Sequence, residues 1–119
     1  MNLSDFCGLC ERLDREGAQV EKAQYDGVAF GNWLVQVSIK GRPRRQVVWD
    51  GKERWLTVAT QVPKRERRER FSQAELQQMP LMDGLFALQQ IEADEWNEEW
   101  STGEPEQLTI EHVVSRLQQ

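Results

Sequence analysis

Three apolar segments that follow one another closely between residues 32 and 62 constrain the fold more than any other part of the sequence. From Asn32 to Ile39, large apolar side chains occupy every second position, which places them on one face of a β-strand. Arg45–Trp49 and Trp55–Val62 have the character of two further strands, and turn residues at Gly41–Pro43 and Asp50–Gly51 separate the three. Because a parallel pair needs a crossover of about a dozen residues or more, strands this close together predict an antiparallel meander.

The residues before the meander predict a helix and a candidate first strand. Apolar residues recur at three- and four-residue spacing over Leu3–Leu13, Ser4 can cap the start, and Gly17 can end the helix in the left-handed conformation. A helix is therefore expected over residues 4–16. Ala18–Tyr25 is a candidate strand, because the turn signal Asp26–Gly27 closes it.

The last third of the chain has mainly helical patterns. The expected elements are, in order, a helix from Ser72, a break at Pro80, a helical continuation towards Trp96, a loop over Ser101–Glu106 and a last helix capped by Thr109. Ser72 and Glu75 form a capping-box pattern at the start of the first of these helices. Pro80 is expected to break it, because proline has no amide hydrogen to donate.

Together these elements predict one α+β domain over residues 1–119. The expected architecture is an antiparallel meander of three to four strands with helices packed on one face: an N-terminal helix, then the strands, then two or three C-terminal helices. The length suits a single core. Trp49 and Trp55 flank the second turn of the meander, which predicts a cross-strand aromatic pair.

The sequence has few features that would support a cofactor or a membrane anchor. No apolar run reaches the roughly 20 residues of a membrane-spanning helix, and the first residues lack a secretory signal, so a cytoplasmic protein without a membrane segment is expected. The two cysteines, Cys7 and Cys10, are too close to staple a fold, and His112 is the single histidine. Because a zinc site needs four ligands, no metal and no cofactor are predicted. Zinc shared across a dimer, or a small redox enzyme using these cysteines, is left as a minor alternative.

Charge is segregated along the chain. Residues 40–70 contain eleven basic and four acidic residues, whereas residues 71–119 contain ten acidic residues and one basic residue, Arg116. The fold can either keep the two segments apart as a dipolar surface or bring them into contact, where they would neutralise each other. The sequence leaves both outcomes open.

The acidic segment is the first candidate site. Its predicted partner-binding residues are Glu92, Asp94, Glu95, Trp96, Glu98, Glu99 and Trp100. On a helix, the two tryptophans would lie four residues apart on one face, beside a row formed by Glu95 and Glu99. Such a surface suits a basic protein partner, because carboxylates steer its approach and tryptophan contributes binding energy.

The basic segment is the alternative site, for nucleic acid. Its candidate residues are Arg42, Arg44, Arg45, Lys64, Arg65, Arg67, Arg68 and Arg70. Clustered Lys and Arg side chains bind phosphates, but Glu66 and Glu69 interrupt the run, and a solvated linker or helix start is the usual explanation of such a stretch. Nucleic acid is therefore the less favoured partner.

In its small size, acidic balance and tryptophan-bearing meander, the chain resembles the bacterial immunity proteins that neutralise toxin domains. The segments that prompt the comparison are Asn32–Ile39, Val47–Gly51 and Glu92–Trp100. The resemblance is one of general character and implies no particular topology. It leads to the hypothesis of a non-enzymatic immunity or inhibitor protein that binds a basic toxin, for example a nuclease. The alternative is a nucleic-acid-associated accessory protein that uses residues 40–70.

Overall fold

A computed structural model describes all 119 residues. The chain forms one five-stranded antiparallel sheet, with helices before its first strand, between its last two strands and after its last strand. The elements are α1 (Leu3–Arg15), β1 (Gln19–Asp26), β2 (Asn32–Ser38), β3 (Arg45–Asp50), β4 (Trp55–Gln61), α2 (Lys64–Glu69), α3 (Gln73–Gln78), α4 (Leu81–Glu92), β5 (Trp96–Thr102), a short 3-10 helix (Pro105–Gln107) and α5 (Ile110–Leu117). The strand order is β1-β2-β3-β4-β5, so sheet neighbours are also sequence neighbours. The predicted α+β class and antiparallel meander are confirmed.

Three expectations about the elements were wrong. The sheet has five strands instead of three to four, because the segment predicted to continue as a helix to Trp96 leaves the helix after Glu92 and forms β5. Four helices, instead of two or three, follow β4. The expected loop from Ser101 is shorter than predicted, since Ser101 and Thr102 belong to β5 and pair with Thr57 and Leu56.

The main core lies between the sheet and the two terminal helices, α1 and α5. Its thirteen buried residues are Leu9, Leu13, Ala18, Trp33, Val35, Val37, Val47, Trp49, Leu56, Val58, Val113, Val114 and Leu117. The strand members alternate along β2, β3 and β4, so they share one face, and α1 and α5 supply the facing residues. The opposite face of the sheet is not buried in this core.

The predicted pairing of Trp49 with Trp55 is wrong. Trp49 lies opposite Leu56, whereas Trp55 lies opposite Asp50. Because successive strand residues point to opposite faces, Trp49 is buried in the core and Trp55 is on the other face, 46% exposed. The cross-strand partner of Trp49 is Trp33, on β2.

Helices α2, α3 and α4 form a helical arm, residues 64–92, inserted between β4 and β5. The break between α3 and α4 falls at Pro80, as predicted. The arm starts and ends at one place, because Gln61 pairs with Trp96 and the amide of Val62 donates to the carbonyl oxygen of Glu95 over 2.8 Å. Its buried apolar residues, Ala87 and Ile91, lie outside the main core.

The arm makes the molecule elongated. The radius of gyration is 17.3 Å and the longest dimension 52 Å, whereas a compact chain of this length would have a radius of about 13.5 Å. Five strands of this length make a sheet of roughly 25 Å on each side. We infer that the long axis of the molecule includes the arm.

Leu117 and Leu81 provide a test of this division between core and arm. Leu117 is fully buried and Leu81 is 77% exposed. Leu117→Ala is expected to lower the free energy of unfolding by about 2–5 kcal/mol, because it leaves a cavity, whereas Leu81→Ala should change it by less than about 0.5 kcal/mol. Urea denaturation followed by tryptophan fluorescence measures both. An equal loss in the two variants would contradict the exposure of Leu81.

Candidate interaction surface

The second half of the acidic segment, from Trp96, is a β-strand instead of the predicted helix. Glu92 is the last residue of α4, and Trp96–Thr102 is strand β5 at the edge of the sheet. The helical row of Glu95 and Glu99 beside the two tryptophans therefore does not exist. Glu99 instead occupies an irregularity, because Trp100 lies opposite Val58 and Glu98 lies opposite the next residue, Ala59.

Most of the acidic residues in this segment are paired within the chain. Three pairs join it to the basic segment: Lys64 Nζ to Glu92 at 2.8 Å, Arg70 Nη1 to Glu95 Oε2 at 2.7 Å, and Arg45 Nη2 to Glu99 Oε2 at 3.0 Å. Of the two outcomes that the sequence left open, contact between the segments is the one that the fold adopts at these positions. A carboxylate already paired with a cation has less charge to offer a partner.

The other two carboxylates of the segment differ. Asp94 accepts a hydrogen bond from Gln61 Nε2 at 3.0 Å. Glu98 is exposed on β5 and makes neither a salt bridge nor a side-chain hydrogen bond. Among the predicted acidic residues, Glu98 is therefore the one whose charge is wholly available.

The two tryptophans of the segment are half-buried. Trp100 packs against the main core, its ring stacks on His112 with 5.8 Å between centroids, and the Arg116 guanidinium lies 5.4 Å from its centroid. The single histidine is thus a packing partner on α5. Because neighbouring side chains already cover much of Trp100, it offers a partner less area than an exposed tryptophan would.

The basic residues of the alternative site are dispersed and mostly engaged. Besides the three pairs above, the contacts are Arg44 Nε with Glu21 Oε2 at 2.5 Å, Arg65 Nε with Glu69 Oε1 at 3.1 Å, and Arg42 Nη1 with the carbonyl oxygens of Leu117 and Gln119 at 3.3 Å. Arg45 is buried and also donates to the carbonyl oxygen of Leu117.

Arg67 and Arg68 complete this set. Arg67 is 4% exposed, and its Nε and Nη1 have no hydrogen-bond partner. Arg68 is exposed and makes no salt bridge. A continuous row of free cations, which phosphate recognition would need, is therefore not formed.

The cysteines lie one helical turn apart on α1 and are both free. Burial, and to a lesser extent the neighbouring Cys7, raise the pKa of the Cys10 thiol, so the reactive thiolate is disfavoured. No group of three or more His, Cys, Asp or Glu side chains is placed to hold a metal ion. None of the helices is long and apolar enough to cross a bilayer.

A surface that the sequence reasoning missed lies on the helical arm. Five large side chains of α4 are exposed, and we call them the apolar face of α4: Leu81 (77%), Met82 (74%), Leu85 (49%), Phe86 (62%) and Leu88 (49%). They make up half of the ten large apolar side chains that the fold leaves exposed, and all five are on one helix. A binding surface is the usual explanation for such a patch.

A signal for this surface was present in the sequence. Leu81, Met82, Leu85, Phe86 and Leu88 recur at helical spacing, and with Ala87 and Ile91 they make most of the helix circumference apolar. A helix that is apolar on nearly all sides must be enclosed by other elements or must meet a partner. The chain supplies burial for Ala87 and Ile91 only.

A groove runs along the apolar face of α4. It has a volume of about 200 Å³ and is lined by Leu76, Met79, Pro80, Leu81, Gly84, Leu85 and Leu88. The break at Pro80 creates it, because α3 and α4 meet there at a bend. A larger depression of about 590 Å³ lies over strands β1–β3, but it includes no predicted site residue and little exposed apolar surface apart from Tyr25.

Helices α3 and α4 contain only acidic charges, whereas α2, which packs against α4, contains four basic residues. Residues 71–115 contain no Lys or Arg, and α3 and α4 contain Glu75, Asp83 and Glu92. Glu92 is paired with Lys64, but Glu75 and Asp83 are exposed and make no ion pair. Exposed apolar side chains next to unpaired carboxylates are complementary to a partner with an apolar centre and basic surroundings.

Comparison with known proteins does not add to this description. No protein-family model matches the chain, and no match is found among curated proteins or solved structures.

The ion pair between Lys64 and Glu92, which ties the start of the arm to its end, predicts a pH dependence. The hydrogen bond from Lys64, together with its charge, lowers the pKa of Glu92 below its ordinary value of 4.5. Because the pKa of Glu92 is lower in the folded chain than in the unfolded one, the pair contributes its full stabilisation at pH values above the unfolded pKa. This stabilisation is lost as the pH falls through the lowered pKa.

Glu92→Gln should therefore be less stable than wild type at about pH 7, and the difference should shrink as the pH falls below 4.5. Urea denaturation across this range measures the difference. Glu98→Gln is the matched control, since Glu98 has no partner and should show no such dependence. A stability difference for Glu92→Gln that stayed constant with pH would rule out this role of the ion pair.

Proposed function

We propose that this chain is a non-enzymatic protein-binding module of the immunity or inhibitor type, and that its partner is a basic protein. The observation that supports the proposal is the apolar face of α4, with Leu81, Met82 and Phe86 each more than half exposed. Burying such an exposed surface against a partner is favourable by the hydrophobic effect.

The carboxylates of α3 and α4 support a basic partner. Glu75 and Asp83 lie on these two helices, which contain no Lys or Arg. Carboxylates in this position raise the association rate of a basic protein. In this proposal the steering role of Glu95 and Glu99 passes to Glu75, Asp83 and Glu98, which are not paired within the chain.

The toxin-neutralising role is the specific form of this proposal. A toxin that acts on a polyanionic substrate has a basic surface, and a protein that presents carboxylates around an apolar contact can cover it. The general resemblance to immunity proteins supports the same direction. The nucleic-acid alternative, with Arg42, Arg44 and the run over 64–70, stays a prediction that no specific observation favours.

The test is co-expression with the product of the neighbouring gene, followed by purification of the complex and titration calorimetry. Wild type is expected to bind a basic partner, with an affinity that falls as salt rises from about 0.05 M to about 0.5 M. Phe86→Glu should weaken binding at least tenfold, or by about 1.4 kcal/mol, because it places a charge in the apolar contact.

Val28→Glu is the control for this substitution. Val28 is also an exposed apolar residue, 99% accessible, but it lies in the turn between β1 and β2 at the opposite end of the sheet from the arm. It should leave the affinity unchanged. The proposal is wrong if no basic partner binds at either salt concentration, or if the two substitutions weaken binding equally.

A further inference from the structure

Strand β1 leaves one edge of the sheet without a partner. It is the first strand in the sheet order and, with eight residues, the longest. Every residue of β1 except Val20 is exposed, so no other element of the chain covers it. An uncovered edge strand presents unpaired amide and carbonyl groups, to which another strand can be added.

The two edges of the sheet differ in how well they could accept a strand. At the other edge, β5 has its irregularity at Glu99, in the middle of the strand, and the charged Glu98 beside it. A bulge and charged side chains are both features that prevent strand addition. β1 has its bulge near its start, between Val20 and Lys22, which leaves Lys22–Asp26 regular. The regular free edge is therefore on β1.

The two ends of this regular segment carry opposite charges on one face. Lys22, Gln24 and Asp26 lie on the face of the sheet opposite to the main core, because the residues between them pair with buried core positions of β2. Lys22 and Asp26 are exposed and form no salt bridge. Asp26 accepts hydrogen bonds from the next turn through Oδ1 only, at 3.0 and 3.1 Å, so its Oδ2 is free.

These charges fit a second copy of the same strand in one register. Residues opposite each other in an antiparallel pair point to the same face, so the two-fold axis of a self-pairing must pass through a residue. An axis at Gln24 overlaps the whole of Lys22–Asp26 and places Lys22 opposite Asp26 at both ends. An axis at Ala23 would place Lys22 opposite Gln24, and an axis at Lys22 would bring two lysines together.

We propose that β1 pairs antiparallel with β1 of a second copy, with Lys22 opposite Asp26, so that two five-stranded sheets join into one continuous sheet. A second copy is the occupant because it always supplies the same charges in reversed order. The interface does not depend on the proposed function. Since the helical arm is inserted beside the other edge, the dimer would leave α4 of both copies free and could bind two partners at once.

Sedimentation velocity of the full chain tests the pairing. Wild type is expected to show a monomer–dimer equilibrium with a Kd on the order of 0.1 mM, because a short strand pair is a small interface. Lys22→Asp and Asp26→Lys should each weaken the dimer roughly tenfold, since like charges then lie opposite each other at both ends. An equimolar mixture of the two variants should associate again, because every charge meets its opposite.

A wild type that stays monomeric at about 0.5 mM, five times this Kd, would overturn the proposal. Lys22→Asp that dimerises as well as wild type would overturn it too.

Disulfide cross-linking tests the register without changing either charge. In a chain with Cys7→Ser and Cys10→Ser, Gln24→Cys lies on the two-fold axis, where the two Cβ atoms are about 4.5–5.5 Å apart, and mild oxidation should link the dimer. Gln19→Cys is the matched control: it is exposed on the same strand, but its copy is roughly 30 Å away. Equal cross-linking of both variants would contradict the register, also if Asp26→Lys does not fold.

Two further outcomes separate this proposal from other uses of the surface. Self-association that is abolished by Phe86→Glu and not by Lys22→Asp would assign the dimer to the apolar face of α4 and overturn the pairing of β1. If wild type is monomeric but the neighbouring gene's product binds in a Phe86-dependent manner, the proposed function stands and the pairing of β1 fails.

Discussion

The pairing of β5 with β4 is the interaction on which the rest of the molecule depends. β4 would otherwise be an edge strand, with a row of unpaired amide and carbonyl groups. Once Trp96–Thr102 satisfies that row, the residues between the two strands must leave the sheet and return to it at the same place. The helical arm is the segment that makes this excursion.

The same pairing explains how the segregated charges are resolved. β5 is held beside β4, and the acidic segment that leads into it comes close to the basic residues that begin the arm. Lys64 meets Glu92, and Arg70 meets Glu95, near the two ends of the excursion. Charges that are segregated along the sequence thus form ion pairs between the two segments in the folded chain. On the arm, three acidic residues (Glu66, Glu75 and Asp83) and two basic residues (Arg67 and Arg68) stay without an ion pair.

Local patterns were sufficient for the elements whose stability is mostly local. Alternation over Asn32–Ser38 and the short turns predicted the meander, the break at Pro80 was recognised, and Thr109 caps α5 as expected. The pattern failed for Trp96–Thr102, because its acidic residues and its two tryptophans four positions apart also fit a helix. The segment forms a strand because it pairs with β4, which lies far away in the sequence. The local spacing of residues gives no information about that pairing.

The interaction surface was missed for a related reason. Spacing identifies which residues of a helix share a face, but it does not say how many faces the fold can cover. Leu81 and Leu85 look like core residues until the structure shows that both are exposed. Predicting their exposure required knowing that β5 closes the sheet and leaves α4 with only Ala87 and Ile91 buried.

Because both ends of the arm meet at the pair formed by Gln61 and Trp96, the arm and the sheet can change independently in evolution. Residues 64–92 can be shortened, lengthened or replaced without altering the strand register, provided that the new segment joins these two positions. The sheet with α1 and α5 then acts as a constant support, and recognition can diversify in the inserted helices. A family built in this way would conserve its meander and vary its arm, so that related chains could bind different partners with one scaffold.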